Sequence, residues 1–192
     1  EGGAQLPTEP PRFTYEFLSL GQYARQQESG RDKGGENKIF YGAPGTGKSH
    51  EIDQTLKEKS SRSRVTVFHP DTQYSDFVGC LKPSMKDKGE VEYSFKAGPF
   101  CEALKLADKY TEEPVYLVIE EINRASAAAV FGEIFQLLDR KDDGSSEYGI
   151  DIADPDLLSH LKKHASSVLD DDGNNKLRLP SNLSIYATMN SS

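Results

Sequence analysis

Short apolar runs alternate along this chain with stretches in which apolar residues recur at helical spacing. Four runs have the length and the β-branched or aromatic content of strands, at residues 38–41, 64–68, 115–119 and 184–188. Helical spacing is found at residues 50–57, where Ile52 and Leu56 share one face, and at residues 125–140. Strands that alternate with helices predict an α/β fold with a central parallel sheet flanked by helices.

Residues 1–36 differ in character from the rest of the chain. Residues 1–11 are rich in Gly and Pro and predict a disordered lead, whereas the apolar spacing of residues 13–26 predicts a short helix. A polar linker follows at residues 28–36, so the folded unit is expected to span residues 37–192. A chain of 192 residues has room for one domain with a sizeable core.

Acidic residues are concentrated in one segment, at about residues 139–176. The chain has a net charge of −8, and residues 139–175 contain ten acidic and four basic residues, which supplies −6 of that total. Within the segment, Leu157, Leu161 and Val168 belong to an apolar helical stripe. We expect an inserted helix on flexible arms, with an acidic surface that is solvated or docks on a basic partner. The remaining chain shows no basic stripe for DNA.

The composition excludes several classes of protein. Cys80 and Cys101 are the only cysteines and lack Cys-x-x-Cys spacing, which favours two free thiols over a disulfide or a metal site. No apolar run approaches membrane length, and no signal pattern begins the chain. We therefore expect a reduced cytoplasmic location and no membrane partner.

The first predicted strand leads directly into a complete phosphate-binding loop, Gly42-Ala43-Pro44-Gly45-Thr46-Gly47-Lys48-Ser49. The pattern G-x-x-x-x-G-K-[ST] binds triphosphates because its glycines let successive N–H groups point at the phosphates. We expect Lys48 to reach the β- and γ-phosphates and the Ser49 hydroxyl to bind Mg²⁺. The following helix adds the partial positive charge of its N-terminus. The sequence therefore predicts a site for a nucleoside triphosphate with Mg²⁺.

Two acids and one amide follow the later predicted strands. Glu120 and Glu121 come directly after the strand at residues 115–119, and Asn190 follows the strand at residues 184–188. Because open α/β sheets bind ligands at the carboxyl ends of their strands, we expect all three beside the phosphate-binding loop. In this Walker B pattern, Glu120 is assigned to the Mg²⁺ shell and Glu121 to orienting and deprotonating the attacking water. Asn190 is expected to hydrogen-bond the γ-phosphate or that water.

Together, these elements resemble the large subdomain of an AAA+ ATPase, with Asn190 at the sensor 1 position. Residues 68–79 and 81–83 resemble the aromatic-rich segment after the second strand of McrB-type proteins, the motor subunits of methylation-dependent, 5-methylcytosine-specific restriction systems. Residues 121–125 and 179–190 are similar to the extended Walker B and the approach to sensor 1 of that family. Residues 93–97 resemble the β-hairpin that this branch carries within its second helix. The resemblance covers residues 37–190 apart from the acidic segment.

The resemblance implies a motor NTPase that hydrolyses GTP or ATP with Mg²⁺. For the full-length protein it implies a homo-hexameric ring, a McrC-like nuclease subunit as partner in restriction or antiviral defence, and DNA contact through a separate domain. Arg124 is expected either to reach a neighbouring subunit or to pair with a local carboxylate. No guanine-reading Asn-Lys-x-Asp motif occurs, so the base preference stays open.

Two departures from the family pattern change the expected activity. Glu120 stands where the family usually has Asp, so we expect slow hydrolysis. The chain stops at Ser192, just after sensor 1, so the fifth strand and the lid subdomain would be absent from it and weak nucleotide binding is expected. The alternatives are a MoxR-like AAA+ ATPase chaperone, which remodels protein partners, and a nucleotide-gated interaction module without turnover.

Overall fold

The computed structural model describes residues 14–17, 35–43, 47–57, 60–85, 90–170 and 175–190. The strands within these residues are β1 (Thr14–Phe17), β2 (Asn37–Gly42), β3 (Ser63–Val67), β4 (Gly79–Met85), β5 (Val91–Ala97), β6 (Val115–Glu120), β7 (Ile150–Asp151), β8 (Lys176–Leu177) and β9 (Leu183–Asn190). The α-helices within them are α1 (Lys48–Leu56), α2 (Tyr74–Phe77), α3 (Pro99–Lys109), α4 (Ala127–Phe131) and α5 (Pro155–His164). None of these helices is long and apolar enough to cross a membrane.

Five of the described strands form one parallel sheet in the order β1-β2-β9-β6-β3. β9 lies in the middle and pairs with β2 on one side and with β6 on the other. The first five residues of β6 are all buried, as expected for a parallel strand that is covered on both faces. The four predicted strands are present, and the α/β class with a central parallel sheet is confirmed.

Apolar side chains cover both faces of the sheet because successive residues of a strand point to opposite sides. On one face, α1 packs Ile52 and Leu56 against Phe40, Tyr116 and Tyr186, which confirms the helical spacing predicted for residues 50–57. On the other face, the odd-numbered residues of β6 belong to a larger core to which α3, α4 and α5 contribute. The sheet is therefore the middle layer of a three-layer arrangement.

The N-terminal element is a strand where a helix was expected. Thr14–Phe17 form β1, which pairs in parallel with β2 at the edge of the sheet. The helix predicted over residues 13–26 is wrong for these four residues, because Thr, Tyr and Phe favour strands and β2 offers backbone hydrogen-bond partners at that edge. Residues 1–13 and 18–34, which hold the predicted lead, the rest of that helix and most of the linker, lie outside the described residues.

Strands β4 and β5 form an antiparallel hairpin inserted between α2 and α3, as the resemblance at residues 93–97 implied. At its base, the Gly98 N–H donates to the Val78 carbonyl (2.9 Å). A Cβ at Gly98 would clash with the Phe77 carbonyl oxygen. Only glycine allows this approach of two backbone segments, so Gly98 allows α2 and α3 to lie close together at the base of the hairpin.

The helix predicted over residues 125–140 is interrupted at Gly132. α4 ends there, Gly132 has φ 53° and ψ −133°, and a 3-10 helix, Gly132–Leu138, follows. A Cβ at this position would also lie 3.1 Å from the Tyr74 ring. The prediction of one continuous helix is therefore wrong. Apolar spacing could not show this, because it does not reveal a break made by a single glycine. The apolar residues of the predicted face are nevertheless all buried: Val130, Phe131, Ile134, Leu137 and Leu138.

The acidic segment is part of the main core. Leu157, Leu161 and Val168 are buried and lie in the same apolar cluster as residues of α3. β7 also pairs with β8 (Ile150↔Leu177), which joins the part of the segment before α5 to the residues at its far end. The predicted apolar stripe is thus confirmed, and the inserted helix is α5, which packs on the main core.

Arg140, at the start of the acidic segment, hydrogen-bonds to residues of the sheet. Its guanidinium donates to the Asn37 side-chain oxygen (3.0 Å) and to the carbonyls of Leu183 and Gly144 (2.9 Å each). Burial lowers the pKa of Arg140 to about 10. These contacts join the start of the acidic segment to the starts of β2 and β9. The flexibility expected of the arms stays a prediction. Several acidic side chains are exposed, as a solvated surface requires: Asp142, Asp143, Glu147, Asp151 and Asp154.

Candidate functional site

The carboxyl ends of three neighbouring strands lie side by side at one end of the parallel sheet. β2 ends at Gly42, β9 ends at Asn190, and these two residues are register partners. β6 ends at Glu120, one residue after Ile119, which pairs with Ala187 of β9. The register therefore brings the phosphate-binding loop, the two acids and the amide to the same edge, as the sequence predicts.

The described part of the phosphate-binding loop has the backbone that its glycines predict. Gly47 has φ 87°, in the left-handed region that glycine adopts without strain, and α1 begins at the next residue, Lys48. The first turn of α1 is therefore placed at the end of β2. Pro44, Gly45 and Thr46 lie outside the described residues, as does the side chain of Ser49. Their predicted contacts with phosphate and Mg²⁺ stay predictions.

Lys48 carries a buried positive charge beside the loop. The residue is 7% exposed, and its Nζ donates to the carbonyl oxygens of Gly42 and Ala43 at 2.8 Å each. Among the described residues no carboxylate pairs with this ammonium. A buried cation that is bound only by neutral carbonyls favours an anion as further partner. The triphosphate of a nucleotide fits this requirement.

Glu121 is held by three neighbours at the end of β6. Its N–H donates to the Thr188 hydroxyl oxygen (3.1 Å). One carboxylate oxygen, Oε1, accepts from the Asn190 amide nitrogen, and the other, Oε2, accepts from Arg124 Nε at 3.1 Å. Two predicted catalytic side chains, Glu121 and Asn190, are therefore in direct contact. Arg124 makes the local carboxylate pair, which was one of its two expected partners.

Glu120 and its neighbours could contribute to a Mg²⁺ site. The Glu120 carbonyl accepts from the Phe68 N–H (2.9 Å), which fixes the end of β6 beside β3, and the side chain is half-buried. No group of three or more His, Cys, Asp and Glu among the described residues could hold a metal ion. Mg²⁺ keeps several waters and is usually bound by one or two carboxylates together with substrate phosphates, and Glu120 could supply one such carboxylate.

Sequence reasoning missed Thr188 as part of this site. Thr188 lies two residues before Asn190 on β9, so the period of a strand places both on the same face, and that spacing could have identified it. Asn123 is also joined to the site, because its amide donates to the Asn190 carbonyl at 3.2 Å. This second contact depends on how the 3-10 helix Ile122–Arg124 turns back towards β9, which residue spacing does not show.

The family description that matches is AAA domain (dynein-related subfamily), over residues 37–191. The chain is 37% identical over 180 residues to the type II restriction enzyme BsuMI component YdiS of Bacillus subtilis (strain 168), covering 80% of this chain and 50% of that protein. It is 29% identical over 116 residues to the type IV methyl-directed restriction enzyme EcoKMcrB subunit of Escherichia coli (strain K12), covering 58% and 24%.

A crystal structure of a protein from Cytophaga hutchinsonii ATCC 33406 covers 81% of this chain and 34% of that one, at 18% identity and a TM-score of 0.36. That similarity is too distant to carry an argument. The chain spans half or less of the length of each curated relative named above.

Proposed function

Because the chain belongs to the AAA domain family, in its dynein-related subfamily, we propose that it is the nucleotide-binding and hydrolysing core of a McrB-like restriction motor. The resemblance to McrB-type proteins and the AAA+ fold are confirmed. NTP hydrolysis is supported at the level of the family. The nucleotide, the role of each residue and the partners of the whole protein are proposals, as is the extent of the core at residues 37–192.

Binding rests on the loop and on Lys48. The ammonium of Lys48 would exchange its two carbonyl partners for β- and γ-phosphate oxygens, which are charged acceptors and form stronger hydrogen bonds. The backbone N–H groups between Gly42 and Ser49, apart from Pro44, which has none, and the start of α1 would add donors on the same side. Ser49 and Glu120 would hold Mg²⁺. The bound ion would act as a Lewis acid that withdraws negative charge from the phosphate oxygens.

Hydrolysis rests on the contact between Glu121 and Asn190, the observation that carries this proposal. The Glu121 carboxylate would accept a proton from water while the water oxygen bonds to the γ-phosphorus in line with the leaving nucleoside diphosphate. The Asn190 amide can donate to that water or to the γ-phosphate without adding charge to the site. Asn190 is the register partner of Gly42, where the phosphate-binding loop begins, and Glu121 contacts Asn190.

The relatives guide the proposed assembly. Both curated relatives are named as parts of restriction enzymes, which favours a restriction motor over a MoxR-like chaperone. We propose a homo-oligomeric ring, with six copies as in the McrB type, that acts on a McrC-like nuclease subunit and contacts DNA through another domain. GTP is the proposed fuel, with ATP as the alternative.

The test combines binding with turnover. Parallel calorimetric titrations of the chain with Mg²⁺-GTP and Mg²⁺-ATP measure the preference, and tighter GTP binding supports the restriction motor. Steady-state hydrolysis by the full-length protein is then compared with that of Glu121→Gln. We expect this variant to bind nucleotide and to lose turnover. Glu112→Gln, the same change at an exposed site before β6, is the matched control. Turnover that survives Glu121→Gln would overturn the proposed mechanism.

A further inference from the structure

Both oxygens of the Glu121 carboxylate are occupied by donors of this chain. Asn190 binds Oε1 and Arg124 Nε binds Oε2, while the Glu121 side chain is only 26% exposed. A carboxylate that takes a proton from water must turn an oxygen towards that water. In this arrangement the Asn190 amide donates its hydrogen bond to Glu121 Oε1, and Arg124 binds Glu121 Oε2. Neither carboxylate oxygen is turned towards an attacking water.

The backbone of Glu121 is also in a conformation that its neighbours must maintain. Glu121 has φ 57° and ψ 42°, in the left-handed region that a residue with a Cβ seldom adopts. Such a conformation persists where surrounding contacts enforce it, and it is typical of active sites and switches. The Thr188 hydroxyl, which accepts the Glu121 N–H, is one such contact. The ion pair with Arg124 is another, because Arg124 lies one turn away on the 3-10 helix Ile122–Arg124.

The Arg124 contact is the one most easily opened. The Arg124 side chain is 57% exposed, so water and salt weaken its ion pair. Nε is the only guanidinium nitrogen of Arg124 that has a partner among the described residues. The guanidinium can therefore move to another acceptor when the Glu121 carboxylate turns towards the attacking water. Thr188, by contrast, is buried.

We propose that Arg124 is a positioning residue that restrains the Glu121 carboxylate with nucleotide bound as well as without it, and releases it at each turnover. This regulation rests on the proposed function, since it acts on the group that accepts the proton. Release frees Oε2 and lets the carboxylate turn towards the attacking water. Loss of the restraint therefore raises the rate of hydrolysis and leaves nucleotide binding nearly unchanged.

The test measures kcat and KM of hydrolysis by the full-length protein and its variants. Arg124→Gln is expected to raise kcat about two- to fivefold, the factor that a partly exposed ion pair can supply, with less than a twofold change in KM. Arg124→Lys keeps the charge and is expected to stay near the unsubstituted kcat. Arg64→Gln is the matched control: Arg64 forms an exposed ion pair with Glu102 at the same 3.1 Å distance, away from the site. We expect no change in kcat for this control.

Ionic strength supplies a readout that a purely structural role would not move. At saturating nucleotide, salt screens the Arg124–Glu121 pair, so kcat of the unsubstituted protein is expected to rise with salt. In Arg124→Gln this rise should be absent, whereas Arg64→Gln should retain it. A kcat that falls or stays constant in Arg124→Gln would overturn the restraint. Turnover that persists in Glu121→Gln would instead overturn the proposed function, so the two failures are distinguishable.

Discussion

Replacement of Lys48 with Met tests whether this lysine binds nucleotide or stabilises the fold. Met keeps the buried aliphatic stem of this 7% exposed residue and removes the ammonium that donates to Gly42 and Ala43. A charge-assisted hydrogen bond to phosphate contributes about 1.5–3 kcal/mol. We therefore expect the affinity for the Mg²⁺-nucleotide to fall by about 10- to 150-fold.

The same substitution should have little effect on folding. It deletes two hydrogen bonds to carbonyls but also removes a buried charge that no described carboxylate balances. These two effects oppose each other, so we expect the free energy of unfolding without nucleotide to change by less than about 1 kcal/mol. Urea denaturation measures this quantity, and calorimetry with Mg²⁺-GTP and Mg²⁺-ATP measures the affinity.

A matched control lies at the other end of the same helix. Lys57 is exposed and follows the last residue of α1, so Lys57→Met should change neither affinity nor stability. If Lys48→Met and Lys57→Met both bind the Mg²⁺-nucleotide as tightly as the unsubstituted chain, the assignment of the phosphate site is refuted. A large loss of stability in Lys48→Met would show that the ammonium serves the fold instead.

Three further predictions address the site, the helix break and the acidic segment. Thr188→Val keeps the shape of a buried side chain but leaves the Glu121 N–H without its acceptor, which costs about 1–3 kcal/mol. We expect kcat to fall about tenfold with KM nearly unchanged, and steady-state kinetics with full kcat in this variant would contradict the role of Thr188. Gly132→Ala forces a Cβ into the backbone conformation that ends α4 and against the Tyr74 ring; chemical denaturation should show a loss of about 1–3 kcal/mol, and an unchanged value would exclude strain there. Burial, with the positive charges of His164 and Lys105, lowers the pKa of His160 from its usual value of 6.5. The unfolded chain then binds the proton more tightly, so stability is lost as the pH falls below 6.5 and through the lowered pKa. His160→Phe keeps the ring contact with Phe95 and should reduce the drop in Tm between about pH 7.5 and about pH 5.5; an equal drop would assign the acid sensitivity to other groups.

The strands and the phosphate-binding loop could be predicted because their signals are local. Val115–Glu120 is a continuous apolar run that ends in an acid, and its burial follows from that composition. Gly47 precedes Lys48 in a motif whose glycines predict a tightly turning loop, and Gly47 has φ 87° at the start of α1. In both cases the residues that determine the structure are neighbours in sequence.

The errors arose where distant segments decide the conformation. Thr14–Phe17 became a strand because the edge of β2 was available to it. The helix at residues 125–140 breaks because Gly132 can take a conformation that brings its backbone against Tyr74, far away in sequence. The packing of the acidic segment on the core also depends on distant residues, because Leu157 and Leu161 find apolar partners among residues of α3. Apolar spacing identified the buried residues in these helices without showing what they pack against.

The residue order alone predicts that two acids and an amide end strands beside a phosphate-binding loop, because parallel strands present their carboxyl ends on the same side of the sheet. Which atoms meet there depends on the packing of the strands and of the turn after β6. The contact between Glu121 and Asn190, the Thr188 acceptor and the Arg124 pair depend on the register of β9 against β6 and on the turn after Glu120. Except for Arg124, these contacts join residues 67 to 69 positions apart. Periodicity and motif spacing encode local conformation, whereas such contacts exist only once packing has fixed the register of the strands.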